Sequence, residues 1–434
     1  MKISVATVFP DLYSEFLKTS LVNRAHEKGV VKFDVVGFSD FCTPKERLDG
    51  SAVGHGSGMV IRPEVLERIV DAQEDKHGKA FKIFLTPQGK KFDQNMAREL
   101  ATILKDKKHL MLVAGRYEGI DQRAQSHYAD KEVSIGDYVL MGGDLPAMVL
   151  IESFLRYVPG VVGKAESVEE DSFSGPFIDY PTYTVPPHEW KDKSVPEVLF
   201  SGNHAEIKKW REEISIKRSV REHFEWLRSH CVSMEDRKKA GSHIPPHYIA
   251  LLHDDVVVKG GRVGTSSVTS LDIHDIARSA KTYGIKEYFL VTPLNDQQKI
   301  VKKILEFWRN GGIEYNKQRS EAVKLLTVEP SLDETIKAIE QKEGKRPLII
   351  ATSARSVAEA PVITYKDQET VWSKDQPILF IFGTAQGLSS ETIKRCDYVL
   401  LPLEGFSEFN HLSVRSAVAI ILDRWLGINL SKQN

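Results

Sequence analysis

Apolar positions in this chain fall into short continuous or alternating runs, separated by segments with helical periodicity. In the first half, Ile3–Phe9, Val31–Gly37, Phe81–Leu85, Leu110–Ala114 and Val133–Leu140 predict strands, rich in β-branched and aliphatic residues and too short for helices. Helices are predicted at Pro63–Asp75, with Pro in the first turn, at Asp93–Asp106 and at Ala147–Val158. The second half predicts strands at Tyr248–His253, Tyr288–Thr292, Val323–Val328, Leu348–Thr352, Ile378–Phe382 and Tyr398–Leu401. Its helices are predicted at Asp272–Tyr283, Asp296–Arg309, Leu332–Glu343 and Val414–Leu426. This β/α alternation implies an α/β protein whose parallel sheets are covered on both faces. Between about Glu166 and Lys239 the strand signal fades and charged helical segments take over, Ala205–Lys217 and Ser219–Ser229. The pattern predicts three parts: an α/β domain over 1–164, a linker and small mostly helical domain over 165–240, and a second α/β domain over 243–434. The last begins near Ser242-His243-Ile244-Pro245-Pro246, because Pro-Pro cannot continue a helix.

Composition narrows the function. The 434 residues hold 59 Lys+Arg and 60 Asp+Glu, a formal net charge of -1. Nucleic acid would therefore be gripped by local basic patches and not by bulk positive charge. Cys42, Cys231 and Cys396 form no CxxC pair and no zinc-ligand set, so a reduced, cytoplasmic protein without structural metal is expected. The N-terminal apolar run is too short for a signal peptide. The most apolar stretch, Pro146 to Gly163, carries Glu152 and Arg156 and is broken by Pro159-Gly160, so no membrane span is expected.

The two α/β halves share a pattern. Gly115-Arg-Tyr-Glu-Gly119 follows one apolar strand and Gly383-Thr-Ala-Gln-Gly387 follows another. The interval from Gly115 to Ile135 equals that from Gly383 to Leu403, 20 residues in each, and an apolar helix follows both. Parallel sheets bind ligands at loops beyond the carboxyl ends of their strands, where glycine lets backbone approach a ligand closely. Three such loops cluster in the first half: Leu85–Gly89, Gly115–Gly119 and Ser134–Pro146. They offer backbone NH and CO groups with one acid, Glu118, which suits adenine or another neutral heterocycle better than a triphosphate. Neither GxxxxGK[ST] nor a strand-to-helix GxGxxG is present. The run Gly54-His-Gly-Ser-Gly58 reads as a flexible loop.

The acids Glu169-Glu170-Asp171 suit a solvated loop or, with a nearby cation such as Arg156, a general base beside a charge stabiliser. Basic helical clusters at Lys208-Lys209-Trp210-Arg211, Lys217-Arg218 with Arg221, and Arg237-Lys238-Lys239 suit either solvated faces or RNA contact, with Trp210 and Trp226 available for stacking.

These residues carry a resemblance. Leu85-Thr-Pro-Gln-Gly89, Gly115-Arg-Tyr-Glu-Gly-Ile-Asp-Gln-Arg123, Ser134-Ile-Gly-Asp-Tyr-Val-Leu140, Gly142-Gly-Asp-Leu-Pro-Ala-Met148, Arg156 with Pro159–Gly163, Glu170-Asp-Ser-Phe173 and Ser201-Gly-Asn-His-Ala-Glu206 resemble bacterial tRNA (guanine-N1)-methyltransferases of the TrmD type over roughly 1–230. The resemblance implies a SPOUT fold with a trefoil knot, S-adenosyl-L-methionine held in the knot, a homodimer, and methylation of N1 of the guanosine immediately 3′ of a tRNA anticodon. It assigns Asp171 as base and Arg156 as stabiliser of charge on guanine O6. Cofactor contacts fall on Leu85, Thr86, Pro87, Gly89, Gly115, Glu118, Ser134, Ile135, Gly136, Tyr138, Leu140, Gly142, Gly143 and Pro146, with Glu118 facing the sulfonium side or a bound cation such as Mg2+. Arg116, Asn203, His204 and Arg211 are implied in tRNA binding. One loop departs from the family pattern: Gly50 stands for an acid and His55 for a glycine, which puts the target-nucleotide contact there in doubt.

Residues 243–434 resemble a second SPOUT-type RNA methyltransferase domain, through Ile249-Ala-Leu-Leu-His253, Ser267–Arg278, Thr282-Tyr-Gly284, Phe382–Leu388 and Asn410-His-Leu-Ser-Val-Arg415. Its cofactor contacts are expected at Gly383, Thr384, Gly387, Leu401, Leu403 and Ser413. Its RNA target is not implied, and a non-catalytic RNA-docking or dimerisation module is the alternative.

Overall fold

The computed structural model describes residues 1–54, 58–162, 171–185, 188–310 and 316–430. His55 of the glycine run, Gly163, Glu169, Glu170 and the pair Pro186-Pro187 lie outside the described residues. The chain divides into two compact units, Met1–Ser174 and Gly175–Asn434.

In the first unit the elements run β1 (Lys2–Thr7), α1 (Leu12–Phe16), α2 (Ser20–Glu27), β2 (Lys32–Gly37), β3 (Asp49–Ser51), β4 (Met59–Ile61), α3 (Pro63–His77), β5 (Phe81–Lys91), α4 (Gln94–Lys107), β6 (His109–Ala114), α5 (Gln122–Tyr128), β7 (Lys131–Ser134) and α6 (Asp144–Leu155). Five strands form a wholly parallel sheet in the order β2-β1-β6-β5-β7. Every residue of the central strand β6 is buried, as a strand covered on both faces requires. Successive side chains alternate between two cores. Leu110 and Leu112 face the side packed by Leu100 of α4 and Phe154 of α6, whereas Met111 and Val113 face Val65 and Ile69 of α3. Asp93 caps α4 by accepting from Met96 N at 2.8 Å.

Two expectations change here. The predicted strand Val133–Leu140 ends at Ser134, whose hydroxyl bonds the backbone of Gly136 and turns the chain into a loop. The predicted loop Leu85–Gly89 lies inside the longer strand β5, where Leu85 and Lys90 both pair with Val133 and 86–89 bulge out between them. Pro87 has no NH to give the ladder, and Gly89 lies so close to β7 that a Cβ would sit 2.3 Å from Val133 N.

The second unit opens with a short hairpin, β8 (Glu189–Trp190) and β9 (Lys193–Ser194), and the helices His204–Glu222, Phe224–His230 and Met234–Gly241. There follow β10 (His247–Leu252), β11 (Val256–Val257), β12 (Val263–Gly264), β13 (Glu287–Val291), β14 (Leu326–Glu329), β15 (Leu348–Thr352), β16 (Val362–Ile363), β17 (Ile378–Gly383) and β18 (Tyr398–Leu400), with helices between. Seven strands make a parallel sheet in the order β14-β13-β10-β17-β15-β18-β16. The predicted strand Val323–Val328 begins only at Leu326, because Asn316 caps a helix that runs from Lys317 to Val323.

The helical segment expected to stand as its own domain shares the core of the second unit. Val220, Phe224, Leu227 and Ala240 pack in one cluster with Trp372 and Trp425. Arg228 fixes it there, its buried guanidinium donating to the carbonyls of Asp423, Arg424 and Gly427 at the end of the helix Val414–Leu426. A cation satisfying the last carbonyls of a helix also complements its dipole.

Candidate functional site

In the first unit the three glycine loops converge. Gly143 N donates to Gly115 O at 2.8 Å, and Arg116 and Gly142 form a β-bridge. A Cβ on Gly143 would lie 2.8 Å from Ala114 Cα and 3.1 Å from Leu85 Cβ, so only glycine lets this loop lie against both others. Arg116 locks the arrangement: its guanidinium donates to Asp144 Oδ2 at 3.0 Å and lies over the Phe9 ring. Asp144 is buried at the start of α6 and also accepts from Thr7 Oγ1 and Tyr13 OH. Burial first, and then the Asp144 charge, push the Tyr13 phenol well above its ordinary range. Arg116, expected at the tRNA from the sequence, is ion-paired with Asp144, an acid that the sequence reading missed because a single acid in a Gly-rich loop carries no spacing signal.

Of the other expected cofactor residues, Leu85, Ser134, Gly136, Gly143 and Pro146 are buried, whereas Pro87, Tyr138 and Leu140 are exposed. Thr86, Gly89, Gly115, Ile135 and Gly142 are half-buried. Glu118 is exposed and lies across Gly58, at the end of the β3–β4 hairpin. Arg156, at the end of α6, is ion-paired with Asp171, so the cation and carboxylate picked out from sequence meet directly. Among the described residues no group of three or more His, Cys, Asp or Glu could hold a metal ion.

The second unit repeats the glycine loop in backbone detail. Tyr117 and Ala385, the third residues of the two loops, have φ of 58° and 53°, and the fifth residues, Gly119 and Gly387, have φ of 103° and 104°. Gly119 N donates to Arg116 O at 2.9 Å, as Gly387 N does to Thr384 O. Each loop is clasped by a short hairpin: Ile61 N donates to Gly119 O and Val257 N to Gly387 O, both at 2.9 Å. Gly383 has no room for a side chain, since a Cβ would stand 2.4 Å from Leu388 N. This loop opens on a cavity of about 830 Å³ whose walls include Gly383, Thr384, Gly387, Leu401, Leu403 and Ser413, all six residues expected there. Sequence reading missed Ser266 and Asp272 in its walls.

Behind the loop runs a chain of hydroxyls. Thr384 Oγ1 donates to Leu252 O at 2.9 Å, so Ser266 donates to Thr384 and His253 Nδ1–H donates to Ser266 at 3.0 Å. Burial holds the His253 imidazole down to about 4 and therefore neutral.

The helix His204–Glu222 carries the remaining expected tRNA residues. Asn203 is its cap, accepting from Ala205 N and Glu206 N; His204 and Arg211 are exposed, and Arg211 lies 4.5 Å over the Tyr180 ring. Trp226 is engaged internally, donating to Gly175 O and stacking on His230.

Two parallel α/β units each place a backbone-lined glycine loop at the carboxyl end of a buried strand, the position at which parallel sheets take their ligands. Residues 1–229 match the family described as tRNA (Guanine-1)-methyltransferase TrmD, and residues 246–427 match the one described as SAM-dependent RNA methyltransferase. A tRNA (guanine-N(1)-)-methyltransferase of Oleidesulfovibrio alaskensis is 37% identical over 98% of this chain and 99% of its own, and one of Nitratidesulfovibrio vulgaris is 35% identical over the same shares. One of Staphylococcus epidermidis is 38% identical over 55% of this chain and 95% of its own. The chain belongs to the TrmD family of tRNA (guanine-1)-methyltransferases, and carries a SAM-dependent RNA methyltransferase domain behind the family's own. It is an S-adenosylmethionine-dependent methyltransferase, and its close-packed glycines are the ones that hold the candidate cofactor loops against neighbouring backbone. Among the described residues no helix is long and apolar enough to cross a membrane.

Proposed function

We propose that this chain methylates N1 of the guanosine immediately 3′ of a tRNA anticodon, in the cytoplasm, as a homodimer. The observation that carries the reading is the contact between Arg156 and Asp171 in the unit whose three glycine loops converge. N1 of guanine bears a proton at neutral pH and is a poor nucleophile until it leaves. Asp171 takes that proton, and Arg156 turns from its carboxylate to the O6 on which charge then gathers. S-adenosylmethionine, when bound, supplies a methyl already activated on a sulfonium. The protein's part is to hold it: Leu85, Gly115 and Gly143 present backbone to the adenosine, and Arg116–Asp144 keeps the loops in register. The knot implied by the SPOUT resemblance belongs to the same reading.

Dimer formation accounts for an apolar surface that water would otherwise cover: Tyr138, Val139, Leu140 and Met141 on the loop before α6, and Leu145 and Val149 on α6, are exposed, Val139 and Met141 by 82% and 88%. The exposed basic helix with Arg211 and His204 grips tRNA backbone. The second unit binds its own S-adenosylmethionine in the 830 Å³ cavity and methylates a further RNA position. The three-part domain division is kept as a division of labour: catalysis over 1–164, tRNA grip over 165–240, a second transfer site over 243–434.

The test is transfer of labelled methyl to a tRNA transcript with guanosine 3′ of the anticodon, against one with adenosine there. Labelled 1-methylguanosine from the first transcript only is expected; 1-methylguanosine in equal amount from both would overturn the assignment.

A further inference from the structure

Beside the cavity of the second unit lies a second, shallower depression of about 460 Å³, between the helices Ser270–Thr282 and Val414–Leu426. Its walls include Arg278, Ser279, Thr282, Tyr283 and Ser416, and it shares one residue with the glycine-loop cavity, Arg415. Arg415 is held loosely. Its guanidinium lies 3.7 Å from Asp272 Oδ1 and 3.7 Å from Asp275 Oδ2, too far for hydrogen bonds. Asp272 is 6% exposed and its Oδ1 has no hydrogen-bond partner, so the pair is not closed by the protein alone. Arg278 is exposed on the same helix, and among the described residues it has no ion-pair partner. Two guanidinium groups with uncommitted donors, four hydroxyl-bearing residues and one carboxylate, Asp275, converge on a groove that adjoins the glycine-loop cavity.

We propose that this groove seats a phosphodiester of the RNA that the second unit methylates, with Arg278 and Arg415 as its ligands. Guanidinium pairs are suited to phosphate because their planar donors match two oxygens at once. Arg415, on the shared wall, sets the distance between that phosphate and the methyl donor, so the acceptor lies within a nucleotide of the bound phosphate. The inference rests on the reading that the second unit binds S-adenosylmethionine and RNA.

The experiment uses the full chain with Asp171→Asn to silence the first unit, and total RNA from cells lacking the protein. Methyl transfer from labelled S-adenosylmethionine is followed against RNA and salt concentration, with S-adenosylhomocysteine affinity measured by calorimetry. Arg278→Ala should raise KM for RNA roughly tenfold with little change in kcat, as loss of a charged hydrogen bond does. It should also flatten the dependence of log affinity on log salt by about one, as loss of one phosphate contact does. Arg415→Lys, which keeps the charge but loses the fork, should raise KM less and lower kcat more. Affinity for S-adenosylhomocysteine should be unchanged in Arg278→Ala, whose residue lies outside the cofactor cavity. Unchanged KM and salt slope in Arg278→Ala would overturn the proposal; so would a shift in sedimentation to smaller species, which makes the groove a contact between copies of this chain. If the Asp171→Asn chain transfers no methyl, the catalytic reading of the second unit falls. Filter binding of the same RNA with and without Arg278→Ala then decides the groove by itself, an unchanged salt slope counting against it.

Discussion

The two units hold the same loop by opposite means. Both place a left-handed third residue and a glycine near φ 104° after a buried strand, and both clasp the loop with a hairpin. The second residue differs. In the first unit it is Arg116, ion-paired at 2.9 Å to the buried Asp144. In the second it is Thr384, tied through Ser266 to a neutral His253. The backbone geometry follows from what a cofactor needs; the side chain beneath it needs only to be satisfied, and charge or hydroxyls both do so. The consequences of breakage are not equal, because an abandoned buried charge costs more than an abandoned hydroxyl.

The comparison is sharpest at the chemistry. Asp171→Asn should leave S-adenosylhomocysteine binding intact and lower guanine-N1 transfer by about 10²- to 10⁴-fold, the usual loss with a general base. Any label incorporated by the second unit into other RNA should be unaffected. Single-turnover transfer to the guanosine-bearing transcript checks it, and near-parental rates would remove Asp171 from the base role.

The locks come next. Arg116→Ala strands Asp144 and should destabilise the first unit by about 3–5 kcal/mol. Thr384→Val takes the acceptor from the Ser266 hydroxyl and one donor from Leu252 O, which keeps Thr384 N, and should cost about 1–3 kcal/mol. Denaturant unfolding, assigned to each unit by hydrogen exchange, measures both; equal losses would erase the distinction between the locks.

Acid should separate the units further. His247 and His253 of the second unit are both held down to about 4 by burial, against an ordinary 6.5. A folded-state value below the unfolded one means that the unfolded chain binds more protons, so this stability is complete above about pH 6.5 and is lost as pH falls toward 4. By pH 5 each histidine withdraws about 2 kcal/mol. His247 is satisfied only when neutral, its Nδ1–H donating to Pro245 O and its Nε2 accepting from Trp425. The second unit should therefore lose more stability than the first between pH 7 and pH 5, and equal shifts in the two would contradict the account.

Much of this was legible in the chain. Helices Leu332–Glu343 and Val414–Leu426 and the strand Leu348–Thr352 have the bounds their periodicity predicts, and β6 differs by one residue. In these elements the apolar stripe is the buried one, Leu332 and Ile339 in one helix, Val418, Ile421 and Leu422 in the other, so pattern and burial agree. The failures lie where local chemistry overrides pattern: Ser134 ends a strand that β-rich residues would continue, and Pro87 with Gly89 makes a bulge inside β5. The locks were not legible, because Arg116 and Asp144 are 28 residues apart, and Ser266 and Thr384 118 apart, and no local spacing joins them. The helices after Asn203 showed their periodicity, but their partners, Trp372 and Trp425, lie far along the chain.

The smallest expected effect tests whether the two loops are one device. Nothing lies within 4 Å of a Cβ built on Gly119 or on Gly387, so alanine at either meets no neighbour. What remains is backbone strain at φ of 103° and 104°, which an L side chain rarely adopts and which costs about 1–3 kcal/mol. The strain can be relieved only by letting the turn relax, and the turn's carbonyl is the one that Ile61 N or Val257 N holds. Gly119→Ala and Gly387→Ala should therefore lower stability and S-adenosylhomocysteine affinity of their own unit by similar amounts, each leaving the other unit's binding isotherm unchanged. Calorimetry on the full chain resolves two sites if both units bind. A loss at one glycine several times that at the other would mean that the loops share a shape but not a load, and that only one of them is pressed against a ligand.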